Sequence, residues 1–566
     1  MKKVLFFIPL IFILFYWKNI LLGISTKLIA WNDEPFVIWV LQNNIKHFRT
    51  LDFAHLYETN ALYGFSNSLS FAEHLFFPSL IVTVLSFFIS SPIAQFNILF
   101  ILNHILIYVC AYILLNRFTK NMWALTIGSF FFAFCPYFFT QVGHSQMVFY
   151  WPLLLSLYFL LAPKITIKTL IATGVWAGLQ FLSSVYLGII ALFIITLFYF
   201  VQAIFKKRLP DVCRELGIVI LVFFIVSLVS IIGYVRMNLQ YHPQRDYGDY
   251  VTFAANTTDY FFTHNQNSLL QKALFGKVAT KYDKHTVGEM AAFVGVFPLL
   301  CIILYFFKFV RVKKMIEFKI PFDETKLFLF LLILCGFIFS LGPRLNVNGY
   351  YTGIPLPYHI LLKIFPPLGI MRAVARWYFL MSLASGIIVV ICIDKLLLVS
   401  AFVKKGVIIS VLLFLAMYIE FYPSPIGASS KIWITPTTRF LRAQCAHSPA
   451  PLLEYPFEIS DTQNHRVENL RYRTEILLAS TQFACPILSG FSGYEPPKNL
   501  QFQSQLLNAK STNELEILLV QSKFHYVKVD ANVIDEQRDK FFQLIQLSAQ
   551  FKLIYEDNNE LIFKLQ

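Results

Sequence analysis

Charged residues are scarce in this sequence. They make up 14% of its 566 residues, whereas soluble proteins average about a quarter. By contrast, 57% of the residues are hydrophobic, mean hydropathy is +0.61, and phenylalanine alone occurs 61 times. So many apolar side chains have no use in water, which excludes a soluble protein and indicates that lipid is the solvent. The net charge of +15 does not indicate a nucleic-acid partner, because the basic residues lie in short clusters between apolar runs.

The usual signs of a zinc site are also missing. The eight cysteines form no Cys-x-x-Cys pair and no Cys/His cluster. Most of them lie in or beside apolar runs, where a cysteine acts as a small buried hydrophobe. Cys445 and Cys485 lie in the C-terminal segment, and we expect them to pair if the compartment is oxidising. Internal repeats, low-complexity tracts and long linkers are absent as well.

Apolar runs predict about eleven membrane-spanning helices. They cover residues 4–22, 94–116, 123–139, 149–163, 166–182, 185–204, 215–236, 289–308, 326–341, 377–397 and 406–421. The first run resembles a signal peptide, but no small-x-small cleavage site follows it, so we expect an uncleaved helix. A further apolar stretch, 74–91, would reverse every later loop if it crossed the membrane. We interpret it as a re-entrant or interfacial segment.

Basic clusters predict the orientation of these helices. If Lys2 and Lys3 are cytoplasmic, every later cluster falls on the same side, as the positive-inside rule requires. These clusters are Arg117/Lys120, Lys164/Lys168, Lys206/Lys207/Arg208, Lys308/Arg311/Lys313/Lys314 and Lys404/Lys405. Three long loops then lie outside: the first loop is residues 23–93, the second 237–288 and the third 342–376.

The predicted fold is a polytopic α-helical membrane domain, residues 1–423, followed by a small extracytoplasmic α/β domain, residues 424–566. In the second domain, 451–457 and 524–530 have the composition of strands, and 512–523 and 534–550 that of helices. Residues 551–565 predict a hairpin that turns at Asn558-Asn559.

The first loop carries two adjacent carboxylates, Asp33 and Glu34, just outside the first predicted span. Such a pair suits a general base with a metal-binding or hydrogen-bonding partner. A second interpretation is that Asp33 caps a helix with Pro35 in its first turn. Residues 35–48 have an amphipathic pattern that predicts a helix lying on the bilayer surface.

Four more ionisable residues lie on the same predicted side of the membrane. Glu73 and His74 precede the stretch 74–91, and they are either part of a site or a plain interfacial pair. His144 lies in a very short loop, as a site residue or as a turn histidine. Glu289 begins an apolar span, so we expect it to face the protein interior or an aqueous cavity.

The third loop carries the cations. Arg372 and Arg376 are four residues apart and would share one face of a helix. Two guanidinium groups at a membrane surface form a good clamp for a phosphate, with Arg344 as a third candidate. The alternative is that they reach out to lipid headgroups.

Together these pieces resemble the GT-C superfamily of membrane glycosyltransferases, which use polyprenyl-phosphate sugar donors. The Asp33-Glu34 pair is similar to the first-loop pair of dolichyl-phosphate-mannose–protein mannosyltransferases. The order of the motifs looks closer still to a poorly characterised group of bacterial GT-C-like proteins. These motifs are Asp33-Glu34-Pro35, Glu73-His74, Gly143-His144, Glu289-x3-Phe293-x-Gly295, Ser340-Leu341-Gly342-Pro343-Arg344, Leu356-Pro357-Tyr358 and Arg372-x3-Arg376.

The resemblance covers most of residues 25–380, and Gly490-Phe491-Ser492-Gly493-Tyr494 also looks like that group. One departure concerns Asn32-Asp33-Glu34-Pro35, where the group more often has Gly-Asp-Pro. Asp33 aligns in either case, whereas the role of Glu34 does not carry over.

The resemblance implies an inverting sugar transfer on the external face of a bacterial plasma membrane. Asp33 would be the base, and Arg372, Arg376 and Arg344 would bind the donor phosphate. The acceptor would be a cell-envelope glycan, lipid or protein. A divalent metal is compatible with this chemistry but is not required.

Two other classes stay open on the sequence. A transporter or flippase for lipid-linked glycans or lipids also carries intramembrane charge, but it usually shows inverted repeats. Here repeats are absent and the candidate charges cluster at one interface. The third class is a non-catalytic envelope assembly protein whose C-terminal domain binds a partner, because a fold does not establish an activity.

Overall fold

The computed structural model describes residues 2–206, 209–243, 245–261, 292–306, 323–347, 350–398, 405–422, 425–457, 466–490, 496–534 and 539–566. The chain divides into two compact units. Unit 1 comprises Met1–Leu22, Ile98–Leu228 and Arg245–Ile426, and unit 2 comprises Gly23–Asn97, Val229–Gln244 and Gly427–Gln566. Unit 2 therefore gathers the first loop and the C-terminal segment. The predicted domain boundary at residue 423 stays a prediction.

Helices dominate the chain as far as Phe421. In order they are α1 (Lys2–Tyr16), α2 (Lys18–Leu21), α3 (Glu34–Thr50), α4 (Phe76–Leu85), α5 (Pro92–Leu115), α6 (Met122–Phe134), α7 (Pro136–Gln141), α8 (Trp151–Leu160), α9 (Ile167–Ser183), α10 (Val185–Lys206), α11 (Leu209–Tyr241), α12 (Tyr247–Thr252), α13 (Val296–Phe306), α14 (Glu324–Ser340), α15 (Pro357–Ile364), α16 (Phe379–Leu398) and α17 (Gly406–Phe421). Strand β1 (Lys27–Leu28) precedes α3, and β2 (Arg344–Val347) and β3 (Tyr350–Pro355) form an antiparallel hairpin.

This is a multi-pass helical membrane protein. Within the described residues, five helices are long and apolar enough to cross a membrane. They are Pro92–Leu115, Met122–Gln141, Val185–Phe205, Leu209–Tyr241 and Val374–Leu398. A helix lies at each of the predicted spans, with ends shifted by several residues. How many of the shorter helices cross the membrane stays a prediction.

The apolar stretch 74–91 contains only the ten-residue helix α4. At 1.5 Å per residue this helix is about 15 Å long, roughly half of the hydrocarbon thickness. It is therefore too short to cross alone. The interpretation as a re-entrant or interfacial segment stays a prediction.

A buried histidine supports the break between α6 and α7. Cys135 is extended there, and Pro136 opens α7. The Nε2 atom of His104 lies 2.8 Å from the carbonyl oxygen of Ala133, and its Nδ1 accepts a hydrogen bond from the indole of Trp17 at 2.9 Å. Because Nδ1 accepts, the ring is a neutral imidazole that donates through Nε2. This intramembrane histidine thus has a structural role.

A carboxylate caps the N-terminus of α13. Glu420, at the end of α17, accepts hydrogen bonds from the backbone N–H groups of Val296 and of Phe297, the latter at 2.9 Å. These are first-turn donors that lack an intrahelical partner. Gly295 has φ +108°, and a Cβ there would lie 2.4 Å from the ring of Phe421. The glycine of the Phe293-x-Gly295 motif is therefore required by the backbone.

Unit 2 joins α3 and α4 to an α/β fold. Its later elements are β4 (Ser429–Ser430), α18 (Pro436–His447), β5 (Leu452–Tyr455), α19 (Arg466–Ser480), α20 (Pro497–Leu507), α21 (Thr512–Gln521), β6 (Tyr526–Asp530), α22 (Lys540–Gln546), β7 (Phe551–Asp557) and β8 (Glu560–Leu565). The sheet order is β5-β6-β8-β7, with β5 and β6 parallel and the other pairs antiparallel. One face packs on α21 and α22 through a cluster that includes Leu453, Val527, Phe542 and Phe563.

Most of the elements of the C-terminal segment lie where the sequence predicts them. Asn558 and Asn559 both have positive φ, as a two-residue hairpin turn requires. Cys445 and Cys485 are joined in a disulfide. The helix predicted over 534–550 is shorter, beginning at Lys540, and residues 535–538 lie outside the described residues.

Candidate active site

A first group of candidate residues lies in the turn that leads into α3, in unit 2. Asp33 occupies the position before the helix, but its backbone is already helical, with φ −81° and ψ −19°, and its side chain makes no capping hydrogen bond. The interpretation of Asp33 as a helix cap is therefore wrong. Its side chain is half-buried. The role of Asp33 as a general base stays a prediction.

Glu34 folds back on this turn. Its side chain is 0% exposed, and Oε2 accepts a hydrogen bond from the backbone N–H of Asn32 at 2.9 Å. Its other oxygen, Oε1, is buried without a hydrogen-bond partner. Burial, with a smaller contribution from the neighbouring Asp33, raises the pKa of Glu34 to about 7. Glu34 therefore exchanges a proton near neutral pH, and it fixes the backbone around Asp33.

The C-terminal segment holds the same turn from helix α19. The guanidinium Nε of Arg471 donates to the side-chain oxygen of Asn32 at 2.6 Å, and the Thr474 hydroxyl donates to the Asn32 carbonyl at 2.8 Å. Neither Arg471 nor Thr474 was identified as a candidate from the sequence. Their spacing of three residues on a helix was the available signal, but nothing in it pointed to residue 32.

The remainder of α3 differs from the predicted surface helix. The helix is present, but residues 34–41 are all buried, where an interfacial helix would expose one face. Within unit 2 it packs against α4 and α19. The expectation of a helix lying freely on the bilayer surface is wrong for this buried first half.

Glu73 and His74 lie in the same unit, ahead of α4. His74 is fully buried, and its ring packs edge-on against Phe76 and Tyr234 at centroid distances of 4.4 and 5.7 Å. Asn44 donates to the backbone carbonyl of His74 at 2.6 Å. These contacts make His74 part of the packing. Glu73 beside it is half-buried.

A second group of candidate residues is the cationic segment of unit 1. The prediction that Arg372 and Arg376 share a helical face is wrong. Residues 371–373 are irregular, and a 3₁₀ turn, Val374–Tyr378, follows. The two residues nevertheless meet at Tyr186, near the start of α10. Its hydroxyl accepts from the backbone N–H of Arg372 at 3.1 Å, and its ring lies 4.7 Å from the Arg376 guanidinium.

Aromatic rings carry both guanidinium groups. Arg372 lies over the ring of Phe253 at 4.6 Å, and Arg376 is only 6% exposed. Cation–π contacts strengthen when they are shielded from water. The rings therefore hold two positive charges in place. Neither Tyr186 nor Phe253 was identified from the sequence.

The second loop holds the segment 369–376 through hydrogen bonds to its backbone. The carbonyl of Phe253 accepts from the N–H of Ala375 at 3.0 Å, and the hydroxyl of Tyr250 donates to the carbonyl of Gly369 at 2.8 Å. Gly342 has φ +74°, and a Cβ there would lie 2.6 Å from Ala254. The glycine of the Ser-Leu-Gly-Pro-Arg motif is thus explained by a close approach of two chain segments.

Arg344 contacts the same support at a different point. It is exposed at the start of β2, with its guanidinium 5.4 Å from the ring of Tyr247. The Tyr247 hydroxyl lies 2.8 Å from Nδ1 of His359. The structure therefore connects Arg344 and Arg372 to the stretch 245–261.

A buried acid in this stretch was also missed. Asp259 is 2% exposed and accepts from the backbone N–H of Asn256 at 2.7 Å. Burial raises the pKa of Asp259 to about 7. The Asn256-x-x-Asp259 spacing, typical of a capping box, was the signal for it.

The other residues predicted from the sequence are His144, Glu289 and the segment 490–494. His144 is half-exposed and forms the turn after α7, where its carbonyl accepts from the N–H of Met147 at 2.8 Å. Glu289 and residues 491–494 lie outside the described residues. Gly490 is described, and its carbonyl accepts from Arg473 at 2.7 Å. Among the described side chains, no three His, Cys, Asp or Glu are grouped so as to hold a metal ion.

Residues 47–422 match DUF6311, a domain of unknown function. The chain belongs to the DUF6311 family. The match contains the three arginines, His74 and His144, whereas Asp33 and Glu34 precede it. No curated protein matches the chain.

Solved structures show that this DUF6311 protein has a GT-C fold. The arabinofuranosyltransferase AftD from Mycobacteria is 12% identical, with a TM-score of 0.59 over 100% of this chain and 40% of that one. The oligosaccharyltransferase of Archaeoglobus fulgidus is 12% identical, with a TM-score of 0.54 over 97% of this chain and 71% of that one. The chain thus spans about 40% of the length of AftD.

Proposed function

We propose that this protein is an inverting membrane glycosyltransferase. It moves a sugar from a polyprenyl-phosphate donor to a cell-envelope glycan, lipid or protein on the external face of a bacterial plasma membrane. The N-terminus is cytoplasmic and residues 424–566 are extracytoplasmic. The observation that carries the proposal is the pair Arg372 and Arg376, brought together on Tyr186 in a chain with a GT-C fold.

The arginines serve the leaving group. As the bond between the anomeric carbon and the phosphate oxygen breaks, negative charge grows on the phosphate, and fixed cations stabilise it. Arg376 is nearly buried, so its charge acts in a low-dielectric environment, where it is worth more than in water. A guanidinium also offers two parallel N–H groups to one phosphate. Arg344, being exposed, is assigned to the donor's approach.

Asp33 serves the acceptor. Its carboxylate takes the proton of the acceptor hydroxyl while that oxygen attacks the anomeric carbon and the phosphate departs. One displacement without a covalent intermediate inverts the anomeric carbon, so a single base is enough. Glu34 is a positioning residue, because its hydrogen bond to the N–H of Asn32 closes the turn that carries Asp33.

The solved neighbours support the class of reaction. AftD is named for the transfer of arabinofuranose, and the Archaeoglobus fulgidus protein is an oligosaccharyltransferase whose structure is also known with an acceptor peptide. The names of the two proteins give different transferred groups, so the proposal extends to glycosyl transfer in general and names no particular sugar.

The decisive experiment is the change Asp33→Asn in the full chain, purified into nanodiscs. A panel of radiolabelled undecaprenyl-phosphate hexoses and pentoses is added with cell-envelope extract as the acceptor source, and the transferred label is measured. Removing a general base slows transfer about 10²–10⁴-fold. The substitution keeps the shape of the side chain and removes no helix cap, so folding should be unaffected.

Asp52→Asn is the matched control. Asp52 is an exposed acid of the same loop, hydrogen-bonded to His55, and its substitution should leave the rate within about twofold. If Asp33→Asn transfers sugar at a rate within a few-fold of the parent, Asp33 is not the base. If the parent transfers no sugar from any donor of the panel, the proposed activity itself fails.

A further inference from the structure

The third loop carries a hairpin whose second strand is exposed along its whole length. Every residue of β3 is exposed, including Tyr350 at 78%, Tyr351 at 53% and Ile354 at 53%. A two-stranded hairpin by itself is at best marginally stable in water. Large apolar side chains on both of its faces indicate a surface that something apolar covers.

Helix α15, directly after the hairpin, has two different sides. Tyr358 is fully buried, whereas Ile360 and Ile364, one turn apart, are 57% and 74% exposed, and Phe365 is 51% exposed. Lys363 is exposed beside them in the last turn. An aliphatic side flanked by a cation is the pattern of a helix that lies in a membrane interface.

The charge of the region points to the same environment. Between Glu324 and Asp394 the sequence has no acidic residue, while Arg344 and Lys363 are exposed. Cations above an apolar surface match the two layers of a leaflet with anionic headgroups over acyl chains. A soluble acidic partner would use the cations and leave the aliphatic side chains without a role.

The third loop leads directly into an apolar helix. It runs into Val374–Leu398, one of the helices long and apolar enough to cross a membrane, so its end is held at a membrane surface. We infer that β2–β3 and α15 insert into the leaflet at that surface, with Ile360, Ile364 and Tyr351 among the acyl chains and Lys363 on anionic phospholipid headgroups. This inference does not depend on the proposed glycosyl transfer.

Spin labels test the inference in the full chain. In a Cys213→Ser and Cys335→Ser background, Ile360→Cys and Ile364→Cys are labelled and the protein is placed in nanodiscs of phosphatidylcholine with phosphatidylglycerol. Accessibility to oxygen and to a water-soluble nickel complex gives the depth of each label. Insertion places both labels about 5–10 Å into the boundary between headgroups and acyl chains.

Leu547 is the matched control, because it is an equally exposed leucine, 75% exposed, in the C-terminal segment. A Leu547→Cys label should be accessible to nickel. If the Ile360 and Ile364 labels are as accessible to nickel as this control, the loop lies in water and the inference fails. It fails also if both labels are shielded from both reagents, since protein then covers the surface.

A second comparison tests the headgroup. Replacing phosphatidylglycerol by phosphatidylcholine should make both labels shallower, and Lys363→Gln should abolish this dependence on lipid charge. Depths that are the same in both lipids would refute the role of anionic headgroups.

Discussion

Tyr186 is the residue by which the proposed phosphate site can be tested most sharply. It contacts Arg372 through its hydroxyl and Arg376 through its ring, so two substitutions separate the two contacts. Tyr186→Phe keeps the ring and removes the acceptor of the Arg372 N–H. Tyr186→Leu removes the ring as well and leaves the Arg376 guanidinium without its aromatic support.

The geometry gives the expected magnitudes. A neutral hydrogen bond of this kind contributes about 1 kcal/mol, so Tyr186→Phe should weaken binding of a polyprenyl phosphate about fivefold. A cation–π contact with a desolvated guanidinium contributes about 2 kcal/mol more, and Arg376 is 6% exposed. Tyr186→Leu should therefore weaken binding on the order of 100-fold.

The assay is binding of undecaprenyl phosphate to the full chain in nanodiscs. Tyr158→Leu is the matched control, because the Tyr158 ring lies 3.7 Å from the guanidinium of Arg117, a contact of the same kind that involves none of the proposed site residues. It should leave the dissociation constant unchanged. If Tyr186→Leu binds undecaprenyl phosphate as tightly as Tyr158→Leu, the aromatic support of the arginines has no part in phosphate binding.

Two further predictions concern Glu34 and the orientation of the chain. Burial raises the pKa of Glu34 from 4.5 to about 7, so its contribution to stability is complete below pH 4.5 and is lost as pH rises towards 7, a change of about 3 kcal/mol. Glu34→Gln should flatten the fall in apparent Tm over this window, whereas Glu556→Gln, at an exposed site, should not, and parallel curves for both variants would contradict this. A reporter enzyme that is active only in the periplasm should be active when fused after Gln566 and silent after Lys314, and the reverse pattern would overturn the proposed orientation.

The helices were predictable because their signal is local. The length and composition of an apolar run are enough to predict a helix in the membrane. The hairpin at Asn558-Asn559 depends only on two residues that tolerate positive φ. Both kinds of element lie where the sequence places them, within a few residues. The stretch 74–91 was interpreted differently from the other apolar runs for a non-local reason, because a span there would reverse the side of every later basic cluster.

Local signals failed where the backbone departs from regular structure. The spacing of Arg372 and Arg376 predicts a shared helical face only if the segment is an α-helix. Pro366, Pro367 and Gly369 directly upstream oppose that, since proline lacks the donor and glycine has the lowest propensity among the remaining residues. Likewise, Asp33 precedes a helix with proline in its first turn, yet its backbone is already helical and its side chain makes no capping hydrogen bond.

No sequence spacing predicts the residues that hold Arg372 and Arg376 in place. Arg372 and Arg376 were found because charge is rare in an apolar chain and each arginine is conspicuous. Tyr186 and Phe253 hold them with rings and a backbone carbonyl, and such groups are common in a sequence with 61 phenylalanines and 28 tyrosines. Their selection depends on contacts between residues that are distant in the chain. A search for charged residues in a sequence of this kind therefore finds the groups that would meet a phosphate, whereas the residues that set their geometry emerge only from the fold.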